Sequence, residues 1–270
     1  MKYALLSDVH ANKPALEAVL GYIRSRSEPM PMYHLGDLVG YAPWPNEVVE
    51  MIEAAGIPGV AGNYDSAVAT DYKHCGCKYE DAQQETLSHL SYEWTRANVS
   101  AKTKRFLGGL PFRVDIRPFG GHTSGPTVML VHGNHVLNTF YMYEERPDAL
   151  LEKMATAMGA KAGDAICFGH THKPWHRVVG DVHFVNTGSV GRPKDADPRA
   201  GYVELDVTTS GITVNVVRVE YDVEQAATGI LASTLPHEFA DYLRAGGSVA
   251  TDQFAAHLPS DRDHQTSSDE

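Results

Sequence analysis

The 270 residues are 43% hydrophobic and 21% charged, which is enough apolar sequence for the sizeable core of a globular chain. A formal net charge of -11, with no cluster of five or more lysines and arginines, argues against a general nucleic-acid or membrane surface. Three cysteines do not make a disulfide framework, no apolar stretch reaches bilayer-spanning length, and the N-terminus enters a strand-like run without a leader signature, so a cytoplasmic chain is expected.

Tyr3-Ala4-Leu5-Leu6-Ser7 reads as a buried strand running straight into Asp8-Val9-His10. A helix follows, with Pro14 in its first turn and Ala15, Leu16, Val19, Leu20 and Ile23 at helical spacing. Met32 to Leu35 reads as a second strand ending at Gly36-Asp37-Leu38-Val39-Gly40. Asn46 to Ala55 reads as a helix, and Ile57 to Ala61 as a third strand delivering Gly62-Asn63-Tyr64-Asp65. This β-α-β-α-β start predicts a parallel sheet, whose binding site belongs at the carboxyl ends of its strands.

From Asp71 to Leu110 the composition shifts to helical stretches rich in Tyr, Gln, Glu, Lys and Arg, where Leu87, Leu90 and Trp94 form a stripe that reads as packing. Residues between Tyr64 and Thr86 adjoin Asn63 in sequence and are expected to shape substrate choice. Val128 to Val131 leads to His132-Gly133-Asn134-His135, a helix is expected from Pro147 to Met158, and Ala165-Ile166-Cys167-Phe168 leads to Gly169-His170-Thr171-His172. The alternations in Val182 to Val185, Tyr202 to Leu205 and Ile212 to Val217 predict antiparallel strands of a second sheet. Asp222 to Leu231 and Pro236 to Leu243 read as covering helices. The expected organisation is one domain over 1–247, with a helical insertion at about 71–110 and covering helices at about 222–245, and a polar, disordered tail over 248–270.

Five segment ends therefore carry ligand-type side chains. Carboxylate oxygens suit hard divalent ions and imidazole suits first-row transition metals, so a mixed set of Asp, Asn and His can hold two such ions. Two ions about 3.5–4 Å apart need a shared ligand, and Asp37, flanked by glycine, is the natural bridge. Gly36, Gly62, Gly133 and Gly169 would let backbone come close to the ions and to an anionic substrate.

In this order, Asp-x-His, Gly-Asp-x-x-Gly, Gly-Asn-x-Asp, a strand-terminal His-Gly and Gly-His-Thr-His resemble the calcineurin-like metallophosphoesterase superfamily, over the segment from Met1 to Val219. The run Asn186-Thr187-Gly188-Ser189-Val190-Gly191-Arg192-Pro193 resembles its small prokaryotic phosphodiesterases and diadenosine-tetraphosphatase-like proteins. The resemblance implies a four-layer α/β/β/α sandwich. It implies that Asp8, His10, Asp37 and His172 hold one metal and that Asp37, Asn63, His132 and His170 hold the other. The nucleophile would be a hydroxide bridging the ions, and Mn would be the favoured metal, with Fe, Ni, Zn or Mg as alternatives. The expected activity is hydrolysis of a small phosphoester or nucleotide, most readily a phosphodiester. Alternatives are a dinucleoside-tetraphosphate hydrolase, a phosphoprotein phosphatase, or a catalytically weak scaffold of the same fold.

Asn63 and His132 are the expected catalytic residues within the ligand set. Many relatives have His in the third place of Gly-Asn-x-Asp, where it contacts phosphate and can protonate the leaving oxygen; this chain has Tyr64, whose ordinary pKa of about 10 suits that role poorly. His135, three residues beyond His132, is the candidate replacement, against the blander reading of a surface imidazole. Asn12 and Arg192 are substrate-binding candidates, although a solvated turn is the better account of Arg192 and Lys194. His34, His176 and His183 read as structural. Cys167 reads as a buried thiol, and Cys75 and Cys77 as reduced thiols on a loop at the rim of the site, with a soft-metal or redox-active pair as the alternative.

Overall fold

A computed structural model describes residues 1–77, 82–119 and 125–247. The expected tail at 248–270 lies outside the described residues. Strand β1 (Lys2–Leu6) is buried on both faces beyond Lys2, and its alternation sorts the core. Ala4 and Leu6 pack outward with Leu16, Val19 and Leu20 of helix α1 (Lys13–Arg24), whereas Tyr3 and Leu5 pack inward with Val128, Leu130 and Cys167. The first sheet has the order β2-β1-β8-β9, with β2 at Met32–His34, β8 at Ala200–Thr208 and β9 at Gly211–Val219; β1 is parallel to β2 and antiparallel to β8.

The second sheet has the order β3-β4-β5-β7-β6. Its strands are β3 (Val114–Ile116), β4 (Val128–Leu130), β5 (Ala165–Phe168), β6 (Trp175–Val179) and β7 (Val182–Asn186), with β4, β5 and β7 mutually parallel. Helix α6 (Asp148–Met158) covers its outer face, where Met129, Ile166 and Phe168 meet Leu151 and Met154. Helices α1 and α2 (Pro45–Ala54) lie on the outside of the first sheet. The expected four layers are therefore present.

The structure corrects the assignment of strands to sheets. Val182 to Val185 does not join Tyr202 to Leu205 and Ile212 to Val217; it lies in β7, parallel to β5, while β8 and β9 complete the first sheet beside β1. A crossover through β6 makes this possible, because Gly180 and Asp181, both in the left-handed region (φ 55° and 61°), close a tight β6-β7 hairpin. Ile57 to Ala61 is extended but pairs through a single parallel bridge between His34 and Gly59. Gly62 then caps helix α3 (Asn63–Ala69), so Asn63 stands at a helix start and not at a strand end.

Within the expected insertion lie α4 (Ala82–Asn98) and α5 (Ala101–Gly108). Leu87 and Trp94 pack as expected against Ile230 and Phe239, on α7 (Val223–Leu231) and α8 (Glu238–Arg244), whereas Leu90 faces solvent. Among the described residues no helix is long and apolar enough to cross a membrane.

Candidate dinuclear metal centre

The loops after β1, β2, β4 and β5 converge in one place. Asp8 and His10 leave β1, Asp37 follows β2, His132 follows β4, and His170 and His172 follow β5. Backbone bonds knit these loops together: Asp8 N–H donates to the Gly36 carbonyl (3.0 Å), His10 N–H to Asp37 (2.9 Å) and Gly169 N–H to His132 (2.9 Å). Two glycines are needed for the close approach. A Cβ on Gly62 would lie 2.1 Å from the Asp37 carboxylate, and one on Gly169 would lie 2.4 Å from that of Asp8.

Asp8, His10 and His172 form one cluster and Asp37, His132 and His170 another; within each, the candidate donor atoms lie within 4.8 Å of one another. All six residues are 4% exposed or less. Five of them sit at left-handed φ, with Asp8 at 52°, His10 at 48°, Asp37 at 53°, His170 at 68° and His172 at 61°. Such backbone is uncommon for any residue but glycine and accumulates where function over-determines the structure. Asp37 Oδ2 stands between the clusters, 3.8 Å from His10 Nε2 and 3.4 Å from His132 Nε2, which is the position of a bridging ligand.

The imidazoles are oriented by carbonyls. His10 Nδ1 bonds the Val39 carbonyl (3.0 Å), His132 Nδ1 that of Leu35 (2.6 Å) and His172 Nδ1 that of Arg192 (2.6 Å). A carbonyl can only accept, so each Nδ1 carries the hydrogen and each ring turns its Nε2 inward, as a lone pair where the ring is neutral. His10 Nε2 and His172 Nε2 are then two lone pairs 3.1 Å apart, beside an Asp8 Oδ1 that is buried without a hydrogen-bond partner among the described residues. Protonation does not relieve that pair. Burial and the His172 ring hold His10 down at about 3, and burial with Lys194 and Arg192 nearby holds His172 well below the ordinary imidazole value. A divalent cation satisfies all three atoms at once.

The second cluster behaves differently without metal. Burial pulls the His132 pKa down, but the charge and hydrogen bond of Asp37, with Asp8 behind them, outweigh it and raise it to about 10. Asn63 completes this side: its Nδ2 donates to the Cys75 carbonyl (2.9 Å), so its Oδ1 must face His132 Nε2 (3.1 Å) as a donor atom for metal. His170 Nδ1 lies 3.3 Å from the same Nε2.

Several expectations need correction. Tyr64 is buried, and its hydroxyl is engaged by Ser91 Oγ and the Ser88 carbonyl at 3.4 Å, so it is a wall of the site and not a proton donor within it. Asn12 is also buried. Its Oδ1 caps α1 through Ala15 N–H (3.2 Å) and its Nδ2 donates to the Gly191 carbonyl (2.9 Å), so its amide serves the fold and not a substrate. His135 follows His132 in the same loop, and its Nδ1 is buried without a hydrogen-bond partner among the described residues. Cys75 and Cys77, expected as reduced thiols, are joined in a disulfide with Cα atoms 5.4 Å apart, a separation ordinary for such a bond. Arg192 lines the cavity that opens beside the clusters, stacked over Tyr41 with its guanidinium carbon 3.9 Å from the ring centre.

Other contributors carried no sequence-based role. The Asp65 carboxylate accepts from the N–H groups of Asp37 (2.8 Å), Leu38 (2.9 Å) and Gly62 (3.0 Å), tying the two metal-facing loops together. Asn186 donates to the Gly169 carbonyl (2.8 Å), and Ser189 Oγ donates to that of Asp8 (2.7 Å). The signal available for them was position: Asp65 closes Gly-Asn-x-Asp, and the other two lie in the Asn186 to Pro193 run.

The chain matches the calcineurin-like phosphoesterase superfamily domain over residues 1–210. It is 29% identical over 264 residues to an uncharacterized protein, MJ0912, of Methanocaldococcus jannaschii, with 90% of this chain and 97% of that protein covered. The crystal structure of a metallophosphoesterase from Sphaerobacter thermophilus is similar with a TM-score of 0.69 at 27% identity, covering 91% of this chain and 100% of the other. The hypothetical protein PH1004 of Pyrococcus horikoshii shares the fold, with a TM-score of 0.75, 21% identity and 92% and 99% of the two chains covered.

Proposed function

The chain belongs to the calcineurin-like phosphoesterase superfamily, and we propose that it is a metal-dependent hydrolase of phosphoric esters that acts readily on phosphodiesters, with two divalent ions, manganese foremost, held by Asp8, His10, Asp37, Asn63, His132, His170 and His172. The observation that carries this reading is the pair of inward lone pairs on His10 and His172, 3.1 Å apart in surroundings whose burial disfavours a proton, next to an Asp37 oxygen within reach of both clusters. A single ordinary hydrogen-bond network does not account for such an arrangement. The donor set is oxygen and imidazole nitrogen, which fits a transition ion that accepts both, as manganese does.

Bound there, two ions would supply an activated water and a sink for charge on the phosphoryl oxygens. The chain's residues do the rest. Asp65, Asn186 and Ser189 hold the ligand loops after β2, β5 and β1, and the carbonyls of Leu35, Val39 and Arg192 fix the imidazole tautomers. Arg192 is 3.9 Å from the Tyr41 ring, and Tyr41 in turn stands edge-on to His10, so its positive charge lies at the mouth of the site where a phosphate enters.

The test is a screen of purified protein after chelation, with Mn²⁺, Mg²⁺, Ni²⁺, Zn²⁺ or Fe²⁺ restored singly and aryl phosphodiesters, dinucleotides and phosphomonoesters as substrates. Turnover that follows two bound ions per chain by elemental analysis is the expected result. A protein that takes up both ions and hydrolyses none of the three substrate classes is a binding module of this fold and not an enzyme.

A further inference from the structure

Cys75 and Cys77 stand where a bridge between them can act on the metal centre. Asn63 Nδ2 donates to the Cys75 carbonyl (2.9 Å) and lies 3.5 Å from Cys77 Sγ, so these two residues set which way the Asn63 amide faces. That orientation is the one that turns Oδ1 toward His132 Nε2 (3.1 Å). Between the cysteines Gly76, at φ 70°, passes so close to Thr139 that a Cβ would lie 2.6 Å from its methyl carbon. Thr139 belongs to the segment after His132, which Asn138 ties to the start of α3 through the Gly62 carbonyl (3.1 Å) and Ser66 Oγ (3.0 Å). The bridge is thus wedged between two stretches that carry ligands of the second cluster.

Global stability does not account for it. The bonded cysteines have a sequence separation of 2, and a loop so short removes little chain entropy from the unfolded state when it is closed. Access differs between the two sulfurs. Cys75 is buried, with its Sγ 3.9 Å from Ser88 Oγ, whereas Cys77 is half-buried and lines the cavity. A thiolate entering the cavity therefore meets Cys77, and the Ser88 hydroxyl stands where it can donate to a Cys75 thiolate as that sulfur leaves.

We propose that Cys75 and Cys77 form a thiol–disulfide exchange site through which a dithiol reductant controls the second metal position. This rests on the two-metal reading above and adds its regulation. In the first step a thiolate of the reductant bonds to Cys77 Sγ, and the S–S bond breaks with its electron pair going to Cys75 Sγ, which takes a proton from solvent. The reductant's second thiolate then attacks its own sulfur in the mixed disulfide, and Cys77 Sγ leaves with the electron pair and is protonated. The protein gains two electrons and two protons, and the dithiol departs as a disulfide. Two thiols cannot stay at bonding distance, so opening the bridge moves the backbone at 75–77, and the carbonyl that fixes Asn63 is part of it. Bridged protein holds Asn63 Oδ1 toward the second ion; opened protein releases it.

The experiment uses linkage. If the bridged form binds the second Mn²⁺ more tightly, Mn²⁺ must make the bridge harder to reduce by the same factor. Loss of an outer hydrogen-bond partner costs metal affinity about tenfold or more, and a tenfold change corresponds to about 30 mV for a two-electron couple. The midpoint potential of the pair is read by alkylation and mass spectrometry in glutathione and dithiol redox buffers, with and without saturating Mn²⁺. It should lie about 30 mV or more lower with Mn²⁺. Direct titration of bridged and opened wild-type protein should show the second Mn²⁺ bound about tenfold more weakly by the opened form, and Cys77→Ser should match the opened form and ignore reductant. A potential unmoved by Mn²⁺ overturns the inference, as does a pair that stays bridged in the most reducing buffer or open in the most oxidising. These readouts need no turnover. A shifted potential in a protein that hydrolyses no phosphoester would uphold the exchange site and remove the phosphoesterase reading, and hydrolysis with an unmoved potential would do the reverse.

Discussion

At the strand ends the site is made of backbone as much as of side chains. Five ligand candidates occupy left-handed φ, and their loops are tied by Asp65, Asn186 and Ser189. The cavity wall is built on other terms, from side chains on α4 (Leu87, Ser88), α8 (Phe239, Tyr242) and the Tyr141 to Tyr143 segment. The contrast separates two tasks. Geometry that cannot relax suits chemistry, and surfaces that can be repacked suit the choice of substrate, so changes at the strand ends should abolish and changes on the wall should tune.

The largest effect should come from Asp37→Asn. Asp37 Oδ2 faces both clusters, so removing its charge weakens both metal positions together. A loss of about a thousandfold in kcat/KM, with metal content falling below two ions per chain, is expected. Unchanged metal content with full activity would break the bridging assignment, and with it the idea that the two clusters act as one centre.

A second effect separates metal-free from metal-loaded protein. His132 is raised to about 10 in the metal-free state, so its contribution to stability is fully present below pH about 6.5 and is lost as pH rises through about 10. Asp65, raised to about 7 by burial and by Asp37, acts in the same direction: its contribution is present below about 3.8 and is lost by about 7. Buried His10, His34, His170 and His172, all lowered, act in the opposite sense below pH about 6.5, so the melting temperature of chelated protein should fall from about neutral pH toward pH about 10. With Mn²⁺ present the trend should reverse, because uptake displaces the His132 proton and strengthens as pH rises. Parallel melting curves with and without manganese would show that His132 does not face metal.

What could be read from sequence follows the same division. Asp8, His10, Asp37, Asn63, His132, His170 and His172 were legible because each closes a short segment beside a tight turn, where few other residue types have a physical reason to stand. The helices α1, α2 and α6 were legible from their apolar spacing. Which sheet β7, β8 and β9 joined was not, because alternation marks a half-buried strand without naming its neighbour. The wall was illegible for a related reason: Lys173, Tyr141 and Phe239 come from three distant stretches, and only the fold brings them to one cavity. Asn12 was read as a substrate ligand, yet an Asn just before a helix with Pro in its first turn is an N-cap signal. Asn12→Ala should accordingly lower stability by about 1 kcal/mol while leaving KM unchanged; a raised KM at unaltered stability would restore it to the substrate side.

The smallest effect is expected at Tyr64, the position where relatives often carry the acid. The ring fills a gap against His10 at 5.6 Å and against Tyr41 at 5.1 Å, and Gly40 has no side chain because a Cβ there would lie 2.7 Å from it. The hydroxyl, by contrast, makes two long bonds of 3.4 Å to α4. Tyr64→Phe keeps the ring and removes only those bonds, leaving Ser91 its Tyr41 N–H partner (2.9 Å). Stability should fall by about 1 kcal/mol or less, and kcat should stay within about twofold for aryl and nucleotide substrates alike, since general acid catalysis is worth about a hundredfold or more where it operates. A hundredfold loss confined to nucleotide substrates, with aryl esters spared, would mean that the hydroxyl reaches the leaving oxygen after all, and that this part of the wall belongs with the strand ends.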